Sequence, residues 1–168
     1  MAGVTQSDAQ PVVAAMTSPT QPATFVEVYG TSISNHNLLA RRSLNVAGLH
    51  SFDIRTTRPD GKPWDFTIKS HRQEARRIIR RTNPDWVLGA PPCTSFSIWN
   101  TGMNYPKMDP QKVRRLIDEG LVHLRFCCSL YRQQMAKGKY FVHEHPASAL
   151  SWKPVSYTHL TLPTICSV

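Results

Sequence analysis

"WVLGAPPCTSFS", residues 86–97, runs a short apolar segment directly into two prolines and a cysteine. A run of this length bounded by turn signals reads as a buried strand, and neither Pro91 nor Pro92 has an N–H to carry the ladder further. Pro92 also fixes its own φ, so Cys93 is held on stiff backbone at the carboxyl end of that strand. Upstream, "SHRQEARRIIRRTNPD" (70–85) reads as a helix. Ser70 and Gln73 have capping-box spacing, Ala75, Ile78 and Ile79 face inward, and Pro84 ends the helix. Downstream, "DPQKVRRLIDEGLVHLRFCCSLYRQQMAKG" (109–138) is the clearest helix, with Asp109 at the N-cap and Pro110 in its first turn. Its stripe of Val113, Leu116, Ile117, Leu121, Leu124, Cys128, Tyr131 and Met135 has helical spacing.

The same alternation extends outward. "FVEVYG" (25–30) reads as a first strand, "SNHNLLARRSLNVAG" (34–48) as a helix stopped by Gly48, and "LHSFDI" (49–54) as a second strand with Asp53 near its end. "RTTRPDGKP" (55–63) is turn-rich, and "YFVHEHP" (140–146) is the last strand. Strands alternating with helices predict an α/β, doubly wound (Rossmann-like) parallel sheet, in which ligands bind outside the carboxyl ends of the strands. That rule directs attention to Glu27–Gly30, Asp53, Pro91–Ser97 and Glu144.

The chain has 168 residues, 20 Lys and Arg against 11 Asp and Glu, and a formal charge of +9, enough for one domain and biased toward an anionic partner, nucleic acid before membrane. No apolar run approaches the roughly 20 residues of a membrane span, and the N-terminus lacks the order of a signal peptide. The expectation is an intracellular protein, its oligomeric state open with a monomer as the default, and with reduced thiols, since Cys93, Cys127, Cys128 and Cys166 form no CxxC pair.

Residues 1–24 mix small residues, Pro, Gln and Thr without periodicity and read as a disordered leader. At the other end, "VSYTHLTLPT" (155–164) reads as translated sequencing adapter, being encoded by GTC TCT TAT ACA CAT CTG ACG CTG CCG ACG. Residues 155–168 are therefore treated as a non-native tail, and the expectation is that the natural protein continues beyond Pro154.

"PPCTSFS" resembles the catalytic motif of DNA cytosine-5 methyltransferases, in which Pro-Pro-Cys precedes Gln, x, Phe and Ser. Pro91, Pro92, Cys93, Phe96 and Ser97 match, and Thr94 stands in place of Gln. "FVEVYG" stands where that family has its first cofactor strand, Asp53 where an acid binds ribose hydroxyls, and Glu144 where the family has Glu-Asn-Val. The resemblance spans about Phe25 to Trp152. It implies a methyltransferase fold that is C-terminally truncated, a fragment expected to be inactive as given, with S-adenosyl-L-methionine as cofactor and DNA as partner, RNA remaining open. Cys93 and Glu144 would be catalytic, Glu27, Tyr29, Gly30, Asp53 and Pro91 would hold the cofactor, and Pro92, Ser97, Arg76, Arg80 and Lys107 would face nucleic acid. The sequence departs from the family in having Gly30 alone where several glycines are usual, and in His145 and Pro146 after the glutamate. A second reading is a catalytically dead, methylase-like domain that binds nucleic acid or docks within a mobile-element or phage polyprotein.

Several features also have simpler readings. Cys93 can be an inert buried thiol, and Arg72, Arg76, Arg77, Arg80 and Arg81 a solvated helix face. His143 and His145 alternate on a strand but lack a third ligand for a metal, and His123 is a surface or internally bonded histidine. "IWNTGMNYPKMDP" (98–110) is either a base-stacking loop, through Trp99, Tyr105 and Lys107, or an ordinary surface loop.

Overall fold

A computed structural model describes residues 21–30 and 45–153. Four strands, β1 (Ala23–Val28), β2 (Val46–Phe52), β3 (Trp86–Gly89) and β4 (Tyr140–His143), form one sheet in the order β2-β1-β3-β4. All three pairings are parallel. The architecture is α/β and compatible with a Rossmann-like sheet. The chain leaves β1 toward β2 and returns across it to β3, so the order reverses between β1 and β3, where such sheets place ligands.

Two long helices connect the strands, α1 (Lys69–Thr82) and α2 (Pro110–Met135). Asp109 caps α2 as its sequence predicts, accepting from the Gln111 N–H at 3.0 Å. The capping box at α1 is not formed: the helix begins at Lys69, and its N-cap, Ile68, has no side-chain bond. The preceding turn is closed instead by Asp65, whose Oδ1 accepts from both the backbone and the hydroxyl of Thr67 at 2.8 and 2.6 Å. α1 ends where Asn83 turns left-handed at φ 46°, one residue before Pro84.

The helix expected over 34–48 lies mainly outside the described residues, as do most of the leader expected over 1–24 and all of the tail at 155–168; the leader's last two residues, Ala23 and Thr24, are instead in β1, paired with Val46 and Ala47. The last part of that helix is corrected by the structure. Val46, Ala47 and Gly48 are strand, paired with Ala23, Thr24 and Phe25, and a slip in register after Phe25 brings His50 opposite Val26. Ladder pairing to β1 outweighs the helical pattern because local propensity is weak against tertiary contact.

The core lies between the sheet and the two helices and contains Val26, Val28, Phe52, Val87, Ala75, Ile79, Leu124 and Tyr131. α2 is buried more widely than one stripe predicts. Phe126, Cys127 and Leu130 are as inaccessible as Leu124 and Cys128, because the C-terminal half of α2 meets both the sheet and α1. Burial pushes the Cys128 thiol up to about 11 and the Cys127 thiol higher still, so both remain protonated core groups. Among the described residues, no helix is long and apolar enough to cross a membrane.

Candidate functional site

β3 ends at Gly89, and Ala90, Pro91, Pro92 and Cys93 follow on the way to a single 3-10 turn at Thr94–Phe96. That turn is locked to α2. Ser95 Oγ donates to the Leu116 carbonyl at 2.9 Å, and a Cβ on Gly120 would lie 2.8 Å from Ser95 Cβ. Gly120 is therefore required by the close approach of the cysteine loop to α2. Its signal in the sequence was a glycine inside a strong helical pattern, at a cost of about 1 kcal/mol relative to alanine.

Glu144 follows β4 directly, and its N–H donates to the Gly89 carbonyl at 2.9 Å. Cys93 and Glu144 thus leave neighbouring parallel strands at the same edge, with strands about 4.8 Å apart. Cys93 is half-buried and Glu144 exposed.

Beneath this edge, the Tyr131 hydroxyl lies 2.8 Å from His143 Nδ1 and 3.3 Å from the Gly89 carbonyl. One proton arrangement satisfies all three groups: Nδ1–H donates to the phenol, and the phenol donates to Gly89. Gly89 therefore receives bonds from both Tyr131 and Glu144, and the carboxyl ends of β3 and β4 are tied together. His143 and His145 stack with centroids 5.3 Å apart. Burial, then the charge of His145, pushes the His143 imidazole down to about 3, and burial lowers His145 too. Among the described residues no cluster of three metal-ligating side chains exists.

This histidine pair has a pH consequence. With a folded pKa near 3 and an ordinary value near 6.5, the unfolded chain binds more protons at mildly acidic pH. The stabilisation is whole above about pH 6.5 and is lost as pH falls toward 3, by at most about 1.4 kcal/mol per pH unit for each histidine. Thermal unfolding between pH 7 and 4 is expected to show a shallower decline in Tm for His143→Gln than for the parent; parallel curves would refute this.

Two clefts open at the carboxyl edge. The smaller, about 190 Å³, is lined by Glu27, Gly30, Leu88, Gly89, Val142 and Glu144. The larger, about 410 Å³, is lined by Tyr29, Asp53, Asp65, Pro92, Glu119 and His123, with Trp64 and Phe66 as aromatic walls. Ala90 lines both. The residues expected to hold one cofactor are therefore divided. Tyr29 and Asp53 share the larger cleft, whereas Glu27 and Gly30 share the smaller one with Glu144. Pro91 is buried, and Pro92 faces the Asp53 cleft.

Tyr29 takes a left-handed backbone, φ 68°, at a turn where glycine would be unstrained. Its position is held by its N–H, which donates to the Phe52 carbonyl at 2.7 Å, and by its hydroxyl, 2.8 Å from His123 Nδ1. Burial keeps both groups neutral, raising the phenol and lowering the imidazole, so the two share one hydrogen bond between uncharged partners. His123 is the internally bonded histidine of the two readings above. Asp53 is 6% exposed, and its Oδ1 accepts from the Arg55 backbone N–H and Nε, both at 2.9 Å. Asp65, Glu119 and His123 were missed as cleft residues because the turn and helix that carry them meet Asp53 only in the folded chain.

The expected nucleic-acid residues are dispersed. Arg76 is half-buried: its guanidinium donates to Ser129 Oγ and lies 4.9 Å from the Phe126 ring centroid, between the two helices. Ser97 Oγ accepts from the Asn100 N–H and so starts the following turn. Arg80 and Lys107 are exposed. The loop after Cys93 leaves Ile98, Trp99 and Met103 half or more exposed, while Tyr105 anchors it by donating to the Ser95 carbonyl at 3.1 Å.

No family model, curated protein or solved structure matches this chain. The functional reading therefore rests on the motif and on the geometry of the sheet edge.

Proposed function

We propose that this chain carries the catalytic edge of an S-adenosylmethionine-dependent cytosine-5 methyltransferase acting on DNA. The observation that carries the proposal is the chemistry of the larger cleft beside the Pro-Pro-Cys loop. Asp53, Asp65 and Glu119 supply three carboxylates, Tyr29, Trp64 and Phe66 supply rings, and among the described residues no Lys or Arg lines it. That set suits a cationic ligand bearing hydroxyl and amino groups, through carboxylate hydrogen bonds and cation–π attraction. It is poorly suited to the phosphates of a dinucleotide or nucleoside triphosphate, which call for cations or a glycine-rich cradle. The second carboxylate oxygen of Asp53 is the group to meet ribose hydroxyls, Oδ1 being taken by Arg55.

When bound, S-adenosylmethionine supplies an electrophilic methyl group. The chain's own part is to prepare the base. Cys93, as thiolate, adds to C6 of an extruded cytosine, forming the S–C6 bond and placing electron density on C5 and N3. Glu144, protonated, donates to N3 and holds the exocyclic amine, which neutralises that charge. After C5 is methylated, loss of the C5 proton re-forms the double bond and expels Cys93. Extruding the base costs a few kcal/mol, and the exposed Trp99 and Ile98 beside the cysteine offer apolar surface to offset it.

A second reading, a nucleic-acid-binding domain without methyl transfer, is favoured by one observation: Glu27 faces Glu144's cleft, so the cofactor cleft lacks one of its expected acids. Calorimetry separates the two. S-adenosylmethionine is expected to bind and ATP not to bind, and Asp53→Ala is expected to weaken the former at least 10-fold, about 1.4 kcal/mol. Failure of S-adenosylmethionine to bind, or equal binding of ATP, would leave only the second reading.

A further inference from the structure

The loop that follows β2 separates two clefts of opposite chemistry. Asp53 faces the acidic one; on the other side lies a cleft of about 630 Å³ whose rim carries Arg55, Arg58, Arg81, Thr57 and His50 over a floor that includes Trp64. We infer that this second cleft, with the outer face of α1, is a nucleic-acid backbone site distinct from the methyl-transfer edge.

The charge is concentrated there. Residues 54–82 contain nine Lys and Arg against three acids, two-thirds of the chain's net +9. The arginines are not equivalent. Arg58 is spent internally, with NH2 2.8 Å from Glu74 and its guanidinium 5.5 Å from the Trp64 ring centroid. Arg55 is 65% exposed and bonds Asp53 through Nε, which leaves its terminal nitrogens for an outside anion. Arg81 is exposed and has no ion pair among the described residues. Burial, then the charge of Arg81, lowers the His50 imidazole, so at neutral pH it contributes hydrogen bonding rather than charge.

The cations continue beyond the rim. Arg77 and Arg80 line an adjoining surface with Gln73 and Glu74, and Arg77 and Arg81, four residues apart, are separated by about 6 Å along the helix. Arg77 also lies 3.9 Å from Glu74, and a row of separated guanidinium groups fits a chain of phosphates better than one enclosed phosphate. Binding here is expected to be independent of sequence and steeply salt-dependent.

The test is fluorescence anisotropy of the full chain with a mixed-sequence 20-nucleotide single strand, and its duplex, across a salt titration. Arg55→Gln/Arg81→Gln is expected to weaken binding about 10-fold near 0.1 M salt and to lower the slope of log affinity against log salt by about 1.5. The charge-matched Arg114→Gln/Arg115→Gln on α2 is expected to change affinity less than about 2-fold, and Arg55→Lys/Arg81→Lys to keep the parent slope. Equal loss in both glutamine pairs, or none in the first, would overturn the site. Displacement of the strand by submillimolar pyrophosphate would overturn the backbone reading in favour of a free-phosphate site. The outcome does not depend on whether S-adenosylmethionine binds.

Discussion

Cys93→Ser is expected to abolish covalent capture of DNA containing 5-fluorocytosine and to lower methyl transfer by at least about 10³-fold, the scale on which removal of a nucleophile acts. Fluorine at C5 cannot leave as a proton does, so the S–C6 bond persists once it has formed, and the adduct is visible on a denaturing gel. Serine keeps the volume and the loop geometry, since the backbone is held by Pro92 and by the bond from Ser95 to α2. Its hydroxyl is a far weaker nucleophile than a thiolate. The loss would therefore report chemistry and not folding, checked by an unchanged melting curve. Glu144→Gln is the paired measurement. It retains a donor for the base but cannot release its proton, so adduct formation is expected to slow while binding of the strand is kept. The test is made on the product of the complete gene, and no adduct from it at saturating cofactor would sink the methyl-transfer reading and leave the binding reading in place.

Gly89→Ala is expected to be the most damaging conservative change to the fold, costing about 3 kcal/mol or more and lowering Tm by roughly 10 °C. A Cβ there would fall on the Tyr131 hydroxyl and lie 3.0 Å from its ring and 3.1 Å from Cys127 Sγ. Tyr131 and Cys127 have almost no surface exposed, so neither has free space to move into. Displacing the phenol would also break the bonds that join Gly89, Tyr131 and His143. Tyr131→Phe removes the hydroxyl that the new methyl would strike. The double variant Gly89→Ala/Tyr131→Phe is thus expected to lose at least about 1 kcal/mol less than the sum of the single changes. Strict additivity would show that the close approach at Gly89 carries no strain.

These two residues mark how far the sequence could be read. The strand ending in Pro91 and Pro92, the inward face of α1 at Ala75 and Ile79, and the capped start of α2 at Asp109 all follow from local rules: a missing N–H, helical spacing, a carboxylate beside free backbone donors. The strand–helix alternation announces the parallel sheet for the same reason. By contrast, Gly48 as a helix stop and Ser70 as a cap were local signals overruled by contacts with β1 and by the turn at Asp65. Such signals are worth about 1 kcal/mol or less, and a paired strand or a packed turn outweighs them.

By itself, the sequence determined the α/β class, the thiol at the carboxyl end of β3 and the excess of positive charge. Only the tertiary structure decided which side chains meet at that edge. Arg76 lies between α1 and α2, while Arg81 and Arg55, 26 residues apart in the chain, share one cleft. Glu27 parts from Tyr29 because Tyr29 lies just past the end of β1 on left-handed backbone, φ 68°, so the alternation that would put residues two apart on one face no longer holds there. Asp65, Glu119 and His123 join Asp53 because a turn and a helix fold back over the end of β2. Partners at such separation leave no periodicity or spacing in the chain, so their meeting is a property of packing alone.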